Sequence, residues 1–98
     1  MIHLLIVARD EPAGLDPPPA FEVLWAHSAE DALEKLARNR RIDAVLFFDD
    51  ETARETVAGI AAEGAGSPPL FRHGKTVIPG VAALEGPVFD RLRESLGG

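Results

Sequence analysis

Apolar residues gather in short, nearly unbroken runs through the first half of the chain. Residues 3 to 8 (HLLIVA) and 42 to 48 (IDAVLFF) show the pattern of strands covered on both faces of a sheet. Residues 21 to 26 (FEVLWA) alternate instead, with Phe21, Val23 and Trp25 to one side and Glu22 to the other, which predicts an edge strand exposed on part of one face. The period then changes from two to about 3.6. Ala29, Ala32, Leu33, Leu36 and Ala37 form a helical stripe behind Ser28, an N-cap residue, and Asp31 sits where a capping-box acid reaches back, so a helix is predicted over 29–40.

A second helix is predicted to begin near Asp50 or Glu51, whose carboxylates suit a helix amino terminus. It turns Ala53, Val57, Ile60 and Ala61 inward and stops at Gly64 and Gly66. A third starts near Pro87 and buries Val88, Phe89, Leu92 and Leu96. Residues 10 to 20 (DEPAGLDPPPA) hold four prolines and a glycine, which rules out a full helix there, although the segment is just long enough to cross between parallel strands. In residues 68 to 78 (PPLFRHGKTVI) two strand-like runs flank His73-Gly74. A two-residue gap permits a hairpin but not a parallel crossover, so the fifth strand is expected to run antiparallel to the fourth.

These elements predict one α/β domain over residues 1–98. It is a five-stranded, mainly parallel sheet with an antiparallel fifth strand and three helices, and one of its faces is thinly covered. A composition 46% hydrophobic and 27% charged fits a folded chain, and the formal charge of −6 with no basic cluster longer than Arg40-Arg41 argues against binding nucleic acid or an anionic membrane. The absence of cysteine excludes disulfides, thiolate catalysis and cysteine-type zinc sites. The opening MIHLLIVA matches neither a signal peptide nor a membrane span, so a cytoplasmic protein is expected.

Chemistry concentrates in DAVLFFDDE, residues 43 to 51, where Asp49, Asp50 and Glu51 follow a buried strand, and in Asp10 and Glu11 after the first strand. His3, His27 and His73 lack the close spacing of a helical metal pair. His27 beside Ser28 offers a nucleophile and base on paper, but adjacent side chains point apart and Ser28 reads better as the helix cap. No phosphate-cradling glycine motif occurs, and Trp25, Phe47 and Phe48 are assigned to the core, with Phe71 and Phe89 nearer the sheet edge.

The run FEVLWAHSAEDALEKLARNRRIDAVLFFDD (21 to 50) resembles the second strand, second helix and third strand of a bacterial response-regulator receiver domain, and LLIVARDEP (4 to 12) resembles its first strand and acidic turn. Ala32-Leu33 and Asp43 carry the match. The resemblance implies a flavodoxin-like three-layer sandwich of strand order 2-1-3-4-5, here with the family's first and fourth helices missing or reduced. It also implies clustering of Asp10, Glu11, Asp49, Asp50 and Glu51 at the carboxyl ends of the first and third strands. In an active receiver-like domain of the two-component signal-transduction type, Asp49 would accept the phosphoryl group, with Asp10 and Glu11 or Asp50 holding Mg²⁺.

This chain departs from the family pattern in several places. Ala8 and Arg9 stand where the acidic pair belongs, the family spacing from Asp43 puts the acceptor position on Phe48, and Arg72 or His73 occupies the place of a Ser or Thr. Ile78 before Pro79 occupies that of a Lys before Pro, and Lys75 is the nearby lysine. A second resemblance joins residues 67–96, SPPLFRHGKTVIPG and the following helix, to the hairpin, cis-proline and last helix of the thioredoxin or glutaredoxin fold, with Pro68 or Pro69 in the proline role and both redox cysteines absent. The expected function is a non-catalytic, receiver-like regulatory or scaffold module, phosphorylation-independent and without a cofactor, that works by contact with a protein partner or with itself. The alternatives are a Mg²⁺-dependent phospho-acceptor and a redox-inactive thioredoxin-fold binder.

Overall fold

The computed structural model describes residues 1–10, 15–39, 41–64, 67–74 and 78–96. Strands β1 (Ile2–Val7), β2 (Phe21–Ala26), β3 (Ala44–Phe47), β4 (Leu70–His73) and β5 (Ala82–Leu84) form one sheet of order β2-β1-β3-β4-β5, every pairing parallel. Helices α1 (Ala29–Arg38), α2 (Asp50–Glu63) and α3 (Val88–Ser95) complete an α/β architecture compatible with the flavodoxin-like fold. Among the described residues, no helix is long and apolar enough to cross a membrane.

The apolar runs become the central strands because both faces need side chains. Leu5, Val7, Val45 and Phe47 pack on one face with Ala32 of α1 and Ala53 of α2. Leu4, Ile6, Ala44 and Leu46 pack on the other with Val88 and Leu92 of α3. That second face has α3 as its one helix among the described residues, helped by Leu15 and Ala20 from the proline-rich connection and by Phe21 against Phe89, ring centroids 5.2 Å apart. Trp25 and Phe48 are half-buried at its margin, while Phe47 and Phe71 are buried. Little apolar surface is left over: Met1 and Leu24 are the exposed large hydrophobic side chains of the described residues.

The helix ends follow their local chemistry. Ser28 Oγ accepts from the Asp31 amide at 3.1 Å, and Asp31 reaches back to the His27 amide, one residue before the Ser28 amide that a capping box uses. Gly64 closes α2 with φ +67°, a left-handed conformation that costs a Cβ-bearing residue about 1 kcal/mol. Gly64→Ala is therefore expected to lower stability by about that amount in chemical denaturation, because the position is open and conformation alone opposes the methyl.

The expected antiparallel fifth strand is not formed. Ile78 makes an isolated antiparallel bridge with Val81 across a turn at Pro79-Gly80, and the fifth strand lies further on, at 82–84, with Phe71, Arg72 and His73 paired to Ala82, Ala83 and Leu84. The connection is thus residues 74–81, not two residues. Eight residues extended at about 3.3 Å each reach well beyond a three-residue strand, which is length enough to return to the start of β5. Ile78 and Val81 pack on the face of α1 and α2, where a fourth helix of the receiver pattern would lie. Among the described residues β4 pairs in parallel with β5 and not in the hairpin of the thioredoxin-like resemblance, and no described peptide bond is cis.

Candidate functional site

In a 2-1-3-4-5 sheet the chain leaves β1 toward one side and β3 toward the other, and a crevice opens at their carboxyl ends. Here that crevice is an open groove of about 390 Å³ lined by Ala8, Arg9, Asp10, Phe48, Asp49, Asp50 and Glu51. The structure therefore brings together Asp10, Asp49, Asp50 and Glu51 from two stretches distant in sequence. Glu11 and Lys75, also considered as site residues, lie outside the described residues.

Most of these carboxylates are already engaged. Asp49 is the N-cap of α2: its Oδ1 accepts from the Thr52 amide at 2.8 Å and its Oδ2 from the Arg9 amide at 3.3 Å. Asp50, the first residue of α2, is ion-paired through Oδ1 with Arg72 Nε, and Arg72 Nη1 also donates to the His73 carbonyl at 2.8 Å. The Arg72 side chain is only 12% exposed, which makes this the most sheltered ion pair among the described residues. Glu51 meets Arg9 at 3.1 Å in solvent, and the Glu51 hydrogen bond and charge hold the Arg9 guanidinium more firmly protonated than usual. Asp10 is exposed on the rim. Among the described residues, no three His, Asp or Glu side chains converge as a metal cage.

Partial burial of Asp49 favours its neutral form. The opposing hydrogen bonds from the Thr52 side chain and amide and from the Arg9 amide, together with the Arg9 charge, outweigh burial and hold the carboxyl below its ordinary range. A carboxyl depressed in the folded state contributes stability above its unfolded value and loses it as the pH falls through the folded value. Asp49→Ala is expected to cost about 1 kcal/mol at neutral pH, whereas Asp49→Asn, an equally good cap, should be nearly neutral there and should lose less stability on acidification. Denaturation midpoints measured from neutral to acid pH check both statements.

Phe47 is the last residue of β3 and pairs with Val7, so the acceptor spacing falls on Phe48, just past the strand, where the half-buried ring lies 5.6 Å from the His73 ring. Arg72 and His73 do end β4. Because β5 is Ala82–Leu84, the residues that follow the fifth strand are Glu85 and Gly86 before Pro87, which corrects the placement on Ile78 and Pro79. His3 is the second residue of β1 and His73 the last of β4, so these two histidines sit at opposite ends of the parallel sheet and share no site.

The residues that sequence reasoning missed are the two arginines as partners of the acids. The signal was present for Arg72: β4 neighbours β3 in this strand order, so a cation at the end of β4 comes level with the acids after β3. Comparison of the chain with protein-family models, with curated proteins and with solved structures finds no match.

Proposed function

We propose that this chain is a receiver-like regulatory or scaffold module that works by protein contact and without phosphoryl transfer. The observation that carries this reading is the state of the acids at the switch point. Asp49 spends both oxygens on capping α2 and holding the Arg9 amide, Asp50 is paired with Arg72, and Glu51 with Arg9. Mg²⁺ requires several free oxygens in near-octahedral array. Two guanidiniums beside these carboxylates supply fixed positive charge and oppose a cation entering the same groove.

The test is a titration of Mg²⁺, then beryllofluoride, into isotope-labelled protein, followed by backbone amide shifts. The expected result is no saturable shift at Asp10, Asp49 or Asp50 at millimolar Mg²⁺. Saturable shifts there would overturn the reading. The double variant Arg9→Ser/Arg72→Ser removes both guanidiniums and is expected to gain Mg²⁺-dependent shifts that the parent lacks.

The second reading, a Mg²⁺-dependent phospho-acceptor using Asp49 with Asp10 and Glu11 or Asp50 as metal ligands, is favoured by one observation: Asp10, Asp49 and Asp50 share one groove at the place where α/β sheets bind ligands. In that case the Asp49 carboxylate would have to leave the α2 cap to attack phosphorus, and acceptor chemistry would cost the helix its N-terminal bond.

A further inference from the structure

We infer that the outer edge of β2 is a self-pairing surface, on which a second copy of this chain adds its own β2 antiparallel about a two-fold axis at Leu24. The inference rests on reading the chain as a contact module and is independent of the groove's chemistry. β2 ends the sheet, with β1 on one side and, among the described residues, no strand on the other. The Ile2 amide donates to the Ala20 carbonyl and the Ala8 amide to the Ala26 carbonyl. With the β1–β2 register, these two bonds direct the backbone groups of Glu22, Leu24 and Ala26 toward β1 and those of Phe21, Val23 and Trp25 outward. The Phe21 amide is already used by the Pro18 carbonyl at 3.0 Å. The outward row therefore offers the amides and carbonyls of Val23 and Trp25 and the carbonyl of Phe21.

A two-fold at Leu24 matches this row to itself. Val23 of each copy lies opposite Trp25 of the other, and the amides and carbonyls of these two residues are satisfied in each copy. A shift by two residues that centres the two-fold on Val23 makes as many bonds, leaving the Trp25 carbonyl unpaired instead of the Phe21 carbonyl, but it sets Leu24 opposite Glu22. Side chains agree with the register. Leu24, 36% exposed and the most exposed large apolar residue of the strand, meets its own symmetry mate in the close, non-hydrogen-bonded pair. The half-buried Val23 and Trp25 cover one another on the opposite face. Glu22, the one charge in the strand, falls opposite Ala26, so no like charges oppose and the contact is self-complementary.

Apart from Glu22, the edge lacks the features that keep such strands apart. No lysine, proline or bulge interrupts residues 21–26, and six residues of it are regular. The other edge, β5, has three residues and runs into Glu85-Gly86-Pro87, which limits pairing there.

Equilibrium sedimentation is the first test: the parent is expected to shift with concentration from 10.5 kDa toward twice that mass, and Leu24→Glu to stay monomeric with an unchanged circular dichroism spectrum. The chain has no cysteine, so Leu24→Cys reads the register directly. Residues opposed in a non-hydrogen-bonded pair stand about 4.5 Å apart at Cα, within disulfide range. Mild oxidation should give a covalent dimer from Leu24→Cys and little from Ala83→Cys on the β5 edge. A parent that stays monomeric at millimolar concentration overturns the inference, and so does a dimer that survives Leu24→Glu or fails to cross-link through Leu24→Cys. Either failure leaves the Mg²⁺ titration, and the reading it tests, untouched.

Discussion

Phe47→Ala is expected to destabilise the protein by about 3–5 kcal/mol, a large part of the roughly 5–15 kcal/mol that holds a domain of this size together. Phe47 is fully buried at the end of β3, paired with Val7 on one side and Arg72 on the other, and packed in the cluster formed with Leu5, Val45 and Ala53. A strand hydrogen-bonded on both sides cannot move in to fill the space, so the cavity remains and its cost adds to the lost burial. Phe48→Ala is the internal comparison, because that ring is half-buried and lies past the strand. Urea denaturation should show a clearly lower midpoint for Phe47→Ala, a smaller drop for Phe48→Ala and little change in slope. Equal losses would mean that β3 ends one residue later than described. The acids of the groove begin two residues after Phe47, so the same substitution should also loosen the Asp49 cap.

Leu92→Ala is expected to cost about 2–5 kcal/mol and to act mainly on α3. Leu92 is fully buried against the face of Leu4, Ile6 and Leu46, where α3 is the one helix among the described residues. The helix has eight residues and Pro87 at its N-cap without a side-chain cap bond. A helix that short has no independent stability in water and exists because Val88 and Leu92 are anchored. Amide exchange gives the readout. In Leu92→Ala the α3 amides should lose most of their protection, while those of β1 and β3 follow only the fall in global stability. Uniform loss across all three elements would show that α3 opens only with the whole domain.

The elements legible beforehand were those whose causes are local. The runs 3–8 and 42–48 lie on buried central strands, α1 begins at Ala29 behind the Ser28 cap, α2 begins at Asp50 and ends at Gly64, and α3 follows Pro87. The fifth strand was misplaced because a two-residue hairpin looked sufficient at His73-Gly74. The chain instead runs on through buried Ile78 and half-buried Val81, which pack with the residues of the α1 and α2 face, and forms a very short parallel strand at Ala82–Leu84. Three residues carry almost no periodic signal. For the candidate site, the gathering of Asp10, Asp49 and Asp50 was legible from strand order, which also carried the signal for Arg72, but the pairing of Glu51 with Arg9 and the use of Asp49 by the α2 amide were not.

By itself, then, the sequence determined where the three helices and the first four strands lie, since period, caps, glycines and prolines act within a few residues and need no partner. It also determined that this chain has no thiol chemistry and a net charge of −6. Only the tertiary structure decided the direction of β5, the pairing of Asp50 with an arginine 22 residues away, and which amides of β2 face outward. Each depends on which strands lie side by side, a choice made by the summed burial of two sheet faces. Local patterns do not encode that sum, because the same short apolar run satisfies its period equally well beside any neighbour.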